Sequence, residues 1–366
     1  MSPTIKFSNT AQADFFNTLK TRVDEYFLIN KLDRNANQEM YLKTVIMLLL
    51  YFVPYILMLT GRFNTFSEHM ILWLVMGVGM CGIGLGIMHD ANHGSYSKNP
   101  NVNYVLGLLI NVLGVSHVNW KIQHNYFHHM FTNIQGHDDS LNAGALLRFS
   151  PAQKHYSFHR FQHWYIWALY TLETFVWALA TDIVRMNRYR RSEALKMAGK
   201  STAYLFAEML FWKAMYFLFI LIIPIYGIGI PWKWALIGYT TMHLLVGIFL
   251  TFVFVTNHIM PECDHPVPQN GVVDNSWAVH QVRTSCNYAT DNKLFSWFVG
   301  GLNFQIEHHL FTGICHVHYP AIAKIMKKTA KEFNVPYNSY DTFWDAIRAH
   351  NLAMKQLGQP SIQAQY

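Results

Sequence analysis

Residues 41–60 read YLKTVIMLLLYFVPYILMLT, an apolar run whose single charge, Lys43, lies near its start. A helix of about 20 residues is roughly 30 Å long, the thickness of the hydrocarbon layer of a bilayer. The next stretch, GRFNTFSEH (61–69), is long enough only for a tight turn, and a second apolar run fills 70–88. The two runs predict a membrane hairpin. Further along, apolar runs at 203–225 and 234–256 flank the short connection GIGIPWK (227–233) and predict a second hairpin. Two other apolar stretches, 104–115 and 165–180, are too short or too interrupted to cross. The second of these is rich in Trp, Tyr and Phe, which suits an interfacial or re-entrant helix.

Composition supports this reading. Of 366 residues, 52% are apolar and only 13% charged, against roughly 25% charged in soluble domains. Too little charge remains to cover the surface of a soluble protein, and disorder, collagen and a disulfide scaffold are excluded. Cys81, Cys263, Cys286 and Cys315 are widely separated and read as reduced thiols. The predicted fold is an all-α integral membrane protein. It has four transmembrane helices in two hairpins, interfacial helices and a cytosolic helical cap. Three segments follow: 1–40 as a cytosolic amino-terminal stretch without a cleavable signal, 41–321 as the membrane domain, and 322–366 as a cytosolic helical tail. In that tail Lys324, Lys327, Lys328 and Lys331 recur at helical spacing over an amphipathic stretch running to about 356.

The formal charge is +7, with His counted neutral. The short loops after the first and third spans hold only Arg62 and Lys233. The residues up to Arg34 hold five Lys and Arg, the segment 120–200 holds ten, and the tail from Arg283 holds eight. With four spans all three basic regions share one side, which the positive-inside rule makes cytoplasmic. Both termini are then cytoplasmic. The basic excess, including RMNRYRR (185–191), answers to anionic lipid and requires no nucleic acid.

The 20 histidines nearly equal the 21 acidic residues, and they cluster. HDANH holds His89 and His93, HNYFHH holds His124, His128 and His129, and QIEHH holds Gln305, His308 and His309. On an α-helix, residues four apart share a face, so two imidazoles one turn apart can grip metal. An adjacent pair diverges by about 100° and suits two different metals. All three clusters fall on the cytoplasmic side of the predicted topology, as does His258 in TNHIM at the end of the fourth span. Eight imidazoles without a matching cysteine exceed the needs of a structural zinc site. They fit two irons with positions open to oxygen. Asp90 and Glu307 are candidate acceptors for imidazole N–H groups. ECDH (262–265) has Glu-x-x-His spacing, but Pro261 and Pro266 argue against a helix there.

The boxes HxxxH, HxxxHH and QxxHH in a hydrophobic chain of this length resemble the membrane fatty acid desaturases. The Gln that opens the third box resembles the front-end, Δ5/Δ6-type subfamily without a fused cytochrome b5. WKIQHNYFHHMFTNI (120–134), TNHIM (256–260), GGLNFQIEHHLF (300–311) and ICHVHYPAIAKIMKKTAKEFNVPY (314–337) carry the likeness over roughly residues 70–337. Thr312 departs from it, standing where the related boxes have Pro. The resemblance implies a cytosolic di-iron centre, use of O2 and removal of two hydrogens from an acyl chain. It implies His89, His93, His124, His128, His129, His258, His308 and His309 as ligands. Gln305 matches a box position that is His in other desaturases, to bind iron directly or through a water. Asn257, beside His258, is a polar neighbour, and Trp120 is a candidate for lining the acyl tunnel. No flavin or NAD motif is visible, so electrons are expected from an external donor, ferredoxin or cytochrome b5. The acyl group could ride on CoA, carrier protein or glycerolipid.

Other readings use some of the same residues. A hydroxylase, epoxidase, acetylenase or sphingolipid-type desaturase needs the same irons, though the Gln favours desaturation. A metal transporter places its ligands near the midplane, and a bis-histidine haem protein pairs single histidines across helices; boxes crowded at one face fit neither. His155, His159 and His163 read as an interfacial helix face. GIGLG (82–86) lacks the third glycine and the preceding strand of a nucleotide loop, and reads as close helix packing.

Overall fold

A computed structural model describes residues 5–8, 12–190, 192–196 and 199–360. The chain folds as two compact units, each assembled from separated stretches. One comprises Met1–Asn35, Gln123–Ile166 and Phe252–Tyr366; the other comprises Ala36–Ile122 and Trp167–Thr251.

The second of these units holds most of the membrane-spanning chain. Four helices are long and apolar enough to cross: Gln38–Leu59, Phe66–Asn92, Thr202–Gly227 and Trp232–Val255, the last ending just beyond the unit. Each coincides with an apolar run predicted from the sequence. Asn37 caps the first, its side chain accepting from Met40 N at 3.1 Å. Thr65 and Glu68 form a capping box on the second. Glycine lets these two helices meet. A Cβ on Gly79 would lie 2.6 Å from Tyr51 N, and one on Gly82 would strike the Met47 sulfur. From Ile83 to Ile87 the second helix widens into π winding, immediately before the first histidine box.

Neither shorter apolar stretch is by itself long and apolar enough to cross; Pro100–Val112 reaches that length only together with His117–Phe131, as a pair bent by 111°. One forms helices Pro100–Gly107 and Leu109–Val112, interrupted at Gly114, whose φ is +85°. A side chain there would also strike the Tyr216 ring. The other lies within helix Gln162–Val176, which continues through π winding at Trp177–Thr181. A buried ion pair ties these pieces to the third span. Lys213 Nζ sits 2.9 Å from Asp182 Oδ2 and donates to the carbonyls of Gly114 at 3.0 Å and Ala178 at 2.8 Å. Asp182 also accepts from Ser116 N at 2.7 Å and Trp177 Nε1 at 2.9 Å. Every charge has partners, which a buried pair requires.

In the other unit, the amino-terminal helix Ala13–Ile29 buries Phe15, Leu19, Val23 and Phe27. They pack in one core with Ile322, Met326 and Ala330 of the helix Tyr319–Glu332. Arg22 clasps the pair from outside, donating to Thr329 at 2.9 Å and Glu332 at 2.6 Å. The only strands among the described residues are two short parallel pairs: Lys6–Phe7 with Val272–Val273, and Asn287–Tyr288 with Ser339–Tyr340. The amphipathic tail expected as one helix to about 356 is two helices, Tyr319–Glu332 and Phe343–Leu357. Asn334 turns to φ +53° between them, and Pro336 prevents the helix from resuming. Residues 262–265 are irregular, as the flanking prolines require. His155 and His159 bond to backbone carbonyls of Gly358 and Ala145 at 2.9 Å each, in agreement with a packing role. A 3-10 turn at Ser157–Phe161 breaks the helical face on which they were expected to lie.

Candidate metal centre

Six of the eight candidate histidines belong to one unit: His124, His128, His129, His258, His308 and His309. All six are buried. The second box lies on helix wound as π from Ile122 to His128. In such winding the residue five along, rather than four, completes the turn. His129 is therefore brought over His124, with their Nε2 atoms 3.2 Å apart. The third box occupies a short helix, Gln305–Leu310. His258 follows the end of the fourth span.

Nitrogens of His128, His258 and His309 all lie within 4.8 Å of one another. The outer nitrogen of each ring is engaged by an acceptor. His258 Nδ1 donates to the Thr284 carbonyl at 2.9 Å. His128 Nδ1 donates to Asp138 Oδ2 at 3.2 Å. His309 Nδ1 donates to Gln281 Oε1 at 2.7 Å, and Thr132 Oγ1 donates to the same oxygen at 2.8 Å. A neutral imidazole with its proton on Nδ1 carries a lone pair on Nε2. The Nε2 atoms of His258 and His309 therefore face each other, 3.1 Å apart, as lone pairs. Burial pushes the His258 imidazole down to about 3, with His128 adding to the effect. Burial likewise pushes His309 well below the ordinary value, with His129 and His258 contributing. Both rings are uncharged at neutral pH, the form that binds metal. Asp138 keeps its charge although burial opposes it, because His128 and the backbone N–H groups of Asn133 and Ser140 bond to it. Converging imidazoles, each turned by an outer acceptor, fit a divalent transition-metal ion.

His124, His129 and His308 pack beside this trio. The His124 and His308 rings stack at 5.7 Å, and His129 lies 4.7 Å from His308 and 4.4 Å from His309. His308 Nδ1 meets the Tyr319 hydroxyl at 3.3 Å. The first box belongs to the other unit. There the His89 and His93 rings are 4.8 Å apart, and Trp120 stands edge-on to both at 5.6 and 6.1 Å. Asp90 Oδ1 is 4.0 Å from His89 Nδ1. Asn92, between the two histidines, accepts from His117 Nε2 through its side-chain oxygen at 2.8 Å, which anchors the turn leading to Trp120.

Three polar residues named from the sequence have distinct surroundings. The Asn257 amide nitrogen lies within hydrogen-bonding reach of three oxygens, Val253 O, Leu302 O and, at 3.1 Å, Gln305 Oε1, and shares its two N–H groups among them. Gln305 consequently turns its amide nitrogen toward the rings, 2.9 Å from His258 Nε2 and 3.3 Å from His309 Nε2. Glu307 is buried, and its carboxylate accepts from Asn287 at 2.7 Å and Tyr337 at 3.0 Å. Burial raises it to about 7. The acceptors that orient rings are Asp138, Gln281 and the Thr284 carbonyl, none of which the box spacing reveals. Asp138 offers only a weak signal, an acidic residue ten positions beyond a box histidine.

Comparison with known proteins agrees with this geometry. The fatty acid desaturase family profile matches residues 67–341. The chain is 35% identical, over 98% of its length and 98% of the relative's, to the sn-1 linoleoyl-lipid 6-desaturase of Synechocystis sp.. It is 35% identical to the protein of the same name from Arthrospira platensis, over 97% of this chain and 96% of the relative. An acyl-lipid (8-3)-desaturase of Physcomitrium patens is 33% identical over 97% of this chain, which covers 74% of that relative. The chain belongs to the fatty acid desaturase family. It is a multi-pass membrane oxidoreductase, a fatty acyl desaturase of the front-end type, and the family implies a histidine-held metal centre that uses oxygen.

Proposed function

We propose that the chain inserts a cis double bond into an acyl group esterified to a membrane glycerolipid, on the carboxyl side of an existing double bond. The active site and both termini face the cytoplasm. His89, His93, His124, His128, His129, His258, His308 and His309 hold two irons, and Gln305 acts at the edge of the centre as a hydrogen-bond donor. The observation that carries the reading is the set of Nε2 lone pairs of His258 and His309, facing each other at 3.1 Å. Two facing lone pairs at that distance repel, the single Gln305 amide group beside them can serve them only in part, and the arrangement answers to a cation. The glycerolipid is favoured because the relatives matched over most of both chains are named for acyl-lipid substrates. Iron supplies the means to activate O2; the protein's own residues orient the rings, exclude water and place the acyl chain. Trp120 walls the acyl chain beside the first box, a role supported by its edge-on contact with His89 and His93. Electrons come from ferredoxin or cytochrome b5.

The test is expression in a host without polyunsaturated lipids, supplied with a donor and fed linoleate or α-linolenate. Double bonds are then located by mass spectrometry in the glycerolipid and acyl-CoA pools separately. A new double bond on the carboxyl side, appearing first in glycerolipid and abolished by His308→Ala, is the expected result. First appearance in acyl-CoA overturns the carrier, a double bond elsewhere on the chain overturns the regiochemistry, and a hydroxylated or triple-bonded product overturns the reaction. Metal analysis of the purified protein should give about two irons per chain and no haem band.

A further inference from the structure

The helix Tyr319–Glu332 has two unlike faces. Tyr319, Ile322, Met326, Thr329 and Ala330 are buried. Lys324, Lys327, Lys328 and Lys331 are all exposed. Their spacing of three, four and seven residues gathers them on one arc, opposite the buried one. Glu332 is already paired with Arg22 at 2.6 Å. Among the described residues none of the four lysines forms an ion pair. At the start of the same helix, the Tyr319 hydroxyl lies 3.3 Å from Nδ1 of His308. A positive surface and a candidate metal ligand thus lie on opposite sides of one helix, whose diameter is about 10 Å.

We propose that the outward face of this helix, formed by Lys324, Lys327, Lys328 and Lys331, is the docking surface for an acidic one-electron carrier protein that reduces the metal centre. The inference rests on the desaturase reading. Converting –CH2–CH2– to –CH=CH– with O2 releases two molecules of water. Oxygen takes four electrons, two from the carbon pair and two from outside, together with two protons. A one-electron carrier must therefore arrive twice in each turnover and leave each time. Weak, charge-steered encounters serve such traffic well, because long-range attraction speeds arrival without a large buried interface.

A membrane surface could also attract lysines, but the helix is poorly built for it. Helices that lie in the interface sink an apolar face into lipid. Here the apolar face is spent on the protein core, and the helix holds no Trp, Phe or Leu to sink into lipid. Tyr319, which touches His308, begins the same helix, about 7 to 18 Å along its axis from the lysines at 1.5 Å rise per residue.

The test uses full-length protein in nanodiscs of uncharged phosphatidylcholine and a plant-type [2Fe–2S] ferredoxin as the probe. The variant replaces all four lysines by Gln. Ferredoxin binding to the metal-depleted protein should weaken about tenfold at about 50 mM salt, and the difference should shrink as salt approaches 1 M. With iron loaded, the ferredoxin concentration for half-maximal rate should rise about tenfold. Turnover at saturating ferredoxin, and turnover driven by dithionite, should stay within about twofold. Unchanged ferredoxin binding overturns the proposal. So does a loss confined to capture by phosphatidylglycerol vesicles, which assigns the lysines to lipid. Absence of dithionite-driven product from the wild type sinks the desaturase reading and leaves the metal-free binding result standing by itself.

Discussion

Gln281 lies beyond any histidine box, yet its side-chain oxygen takes hydrogen bonds from His309 Nδ1 at 2.7 Å and Thr132 Oγ1 at 2.8 Å. It thereby keeps the His309 proton on the far side of the ring and leaves Nε2 as a lone pair toward His258. Loss of such an orienting partner typically weakens a metal site by about 10- to 100-fold. Gln281→Leu should lower iron retention against a graded chelator by that order, while Gln281→Glu, which still accepts, should retain most of it. Equal retention by the leucine variant would remove Gln281 from the site. The box histidines themselves were legible, since imidazoles repeated at helical spacing in three separate boxes serve little purpose but to hold metal. Their orienting acceptors were not, because Asp138, Gln281 and a backbone carbonyl at Thr284 reach the rings only through folding. Gln305 was legible as a box member but not in its orientation. That depends on Asn257, whose amide nitrogen shares its two N–H groups among two carbonyls and the Gln305 oxygen.

Among elements, the first two spans show how closely helices can approach where side chains are missing. A Cβ on Gly79 would sit 2.6 Å from the backbone nitrogen of Tyr51, and backbone cannot move aside without parting the helices. Gly84, one turn nearer the first box, has only the far end of Leu250 at 4.0 Å. Gly79→Ala should therefore cost about 1–3 kcal/mol by overpacking, read as a lower thermal midpoint in detergent. Gly84→Ala should leave that midpoint nearly unchanged, and similar shifts for both would discredit the close-approach account. The four spans were predictable because length and apolar content alone specify a crossing. Winding was not. The spacing HxxxHH predicted a pairing of His124 with His128 on an α-helix, whereas π winding over Ile122–His128 brings His129 against His124. Nothing in the local residue types separates the two windings, since the choice is made by the packing around the rings. The helical tail expected to about 356 divides in two because Asn334 takes a left-handed turn and Pro336 follows it.

For the whole molecule, the interleaving of two units from five stretches of chain was beyond sequence reading, because each unit closes through contacts more than a hundred residues apart. The abundance of histidine was plain, and it has a consequence outside the metal centre. Burial holds His280 and His350 at about 4, against an ordinary 6.5. His350 sits on the last helix with Nδ1 at 3.2 Å from the Ile259 carbonyl, and His280 packs on the Phe7 ring at 5.1 Å. In the unfolded chain both rings gain a proton near pH 6.5; in the folded protein they resist until about pH 4. The unfolded state thus binds more protons between those values, so stability is full above 6.5 and is lost as pH falls toward 4. Each ring contributes up to roughly 3 kcal/mol over that interval. Metal-free protein in detergent should show a flat thermal midpoint from about pH 7.5 to 6.5 and a steady decline below it. His350→Gln, neutral throughout, should make the decline shallower without lowering the plateau by more than about 1 kcal/mol. A midpoint independent of pH, or a decline of the same slope in the variant, would show that these rings do not govern acid stability.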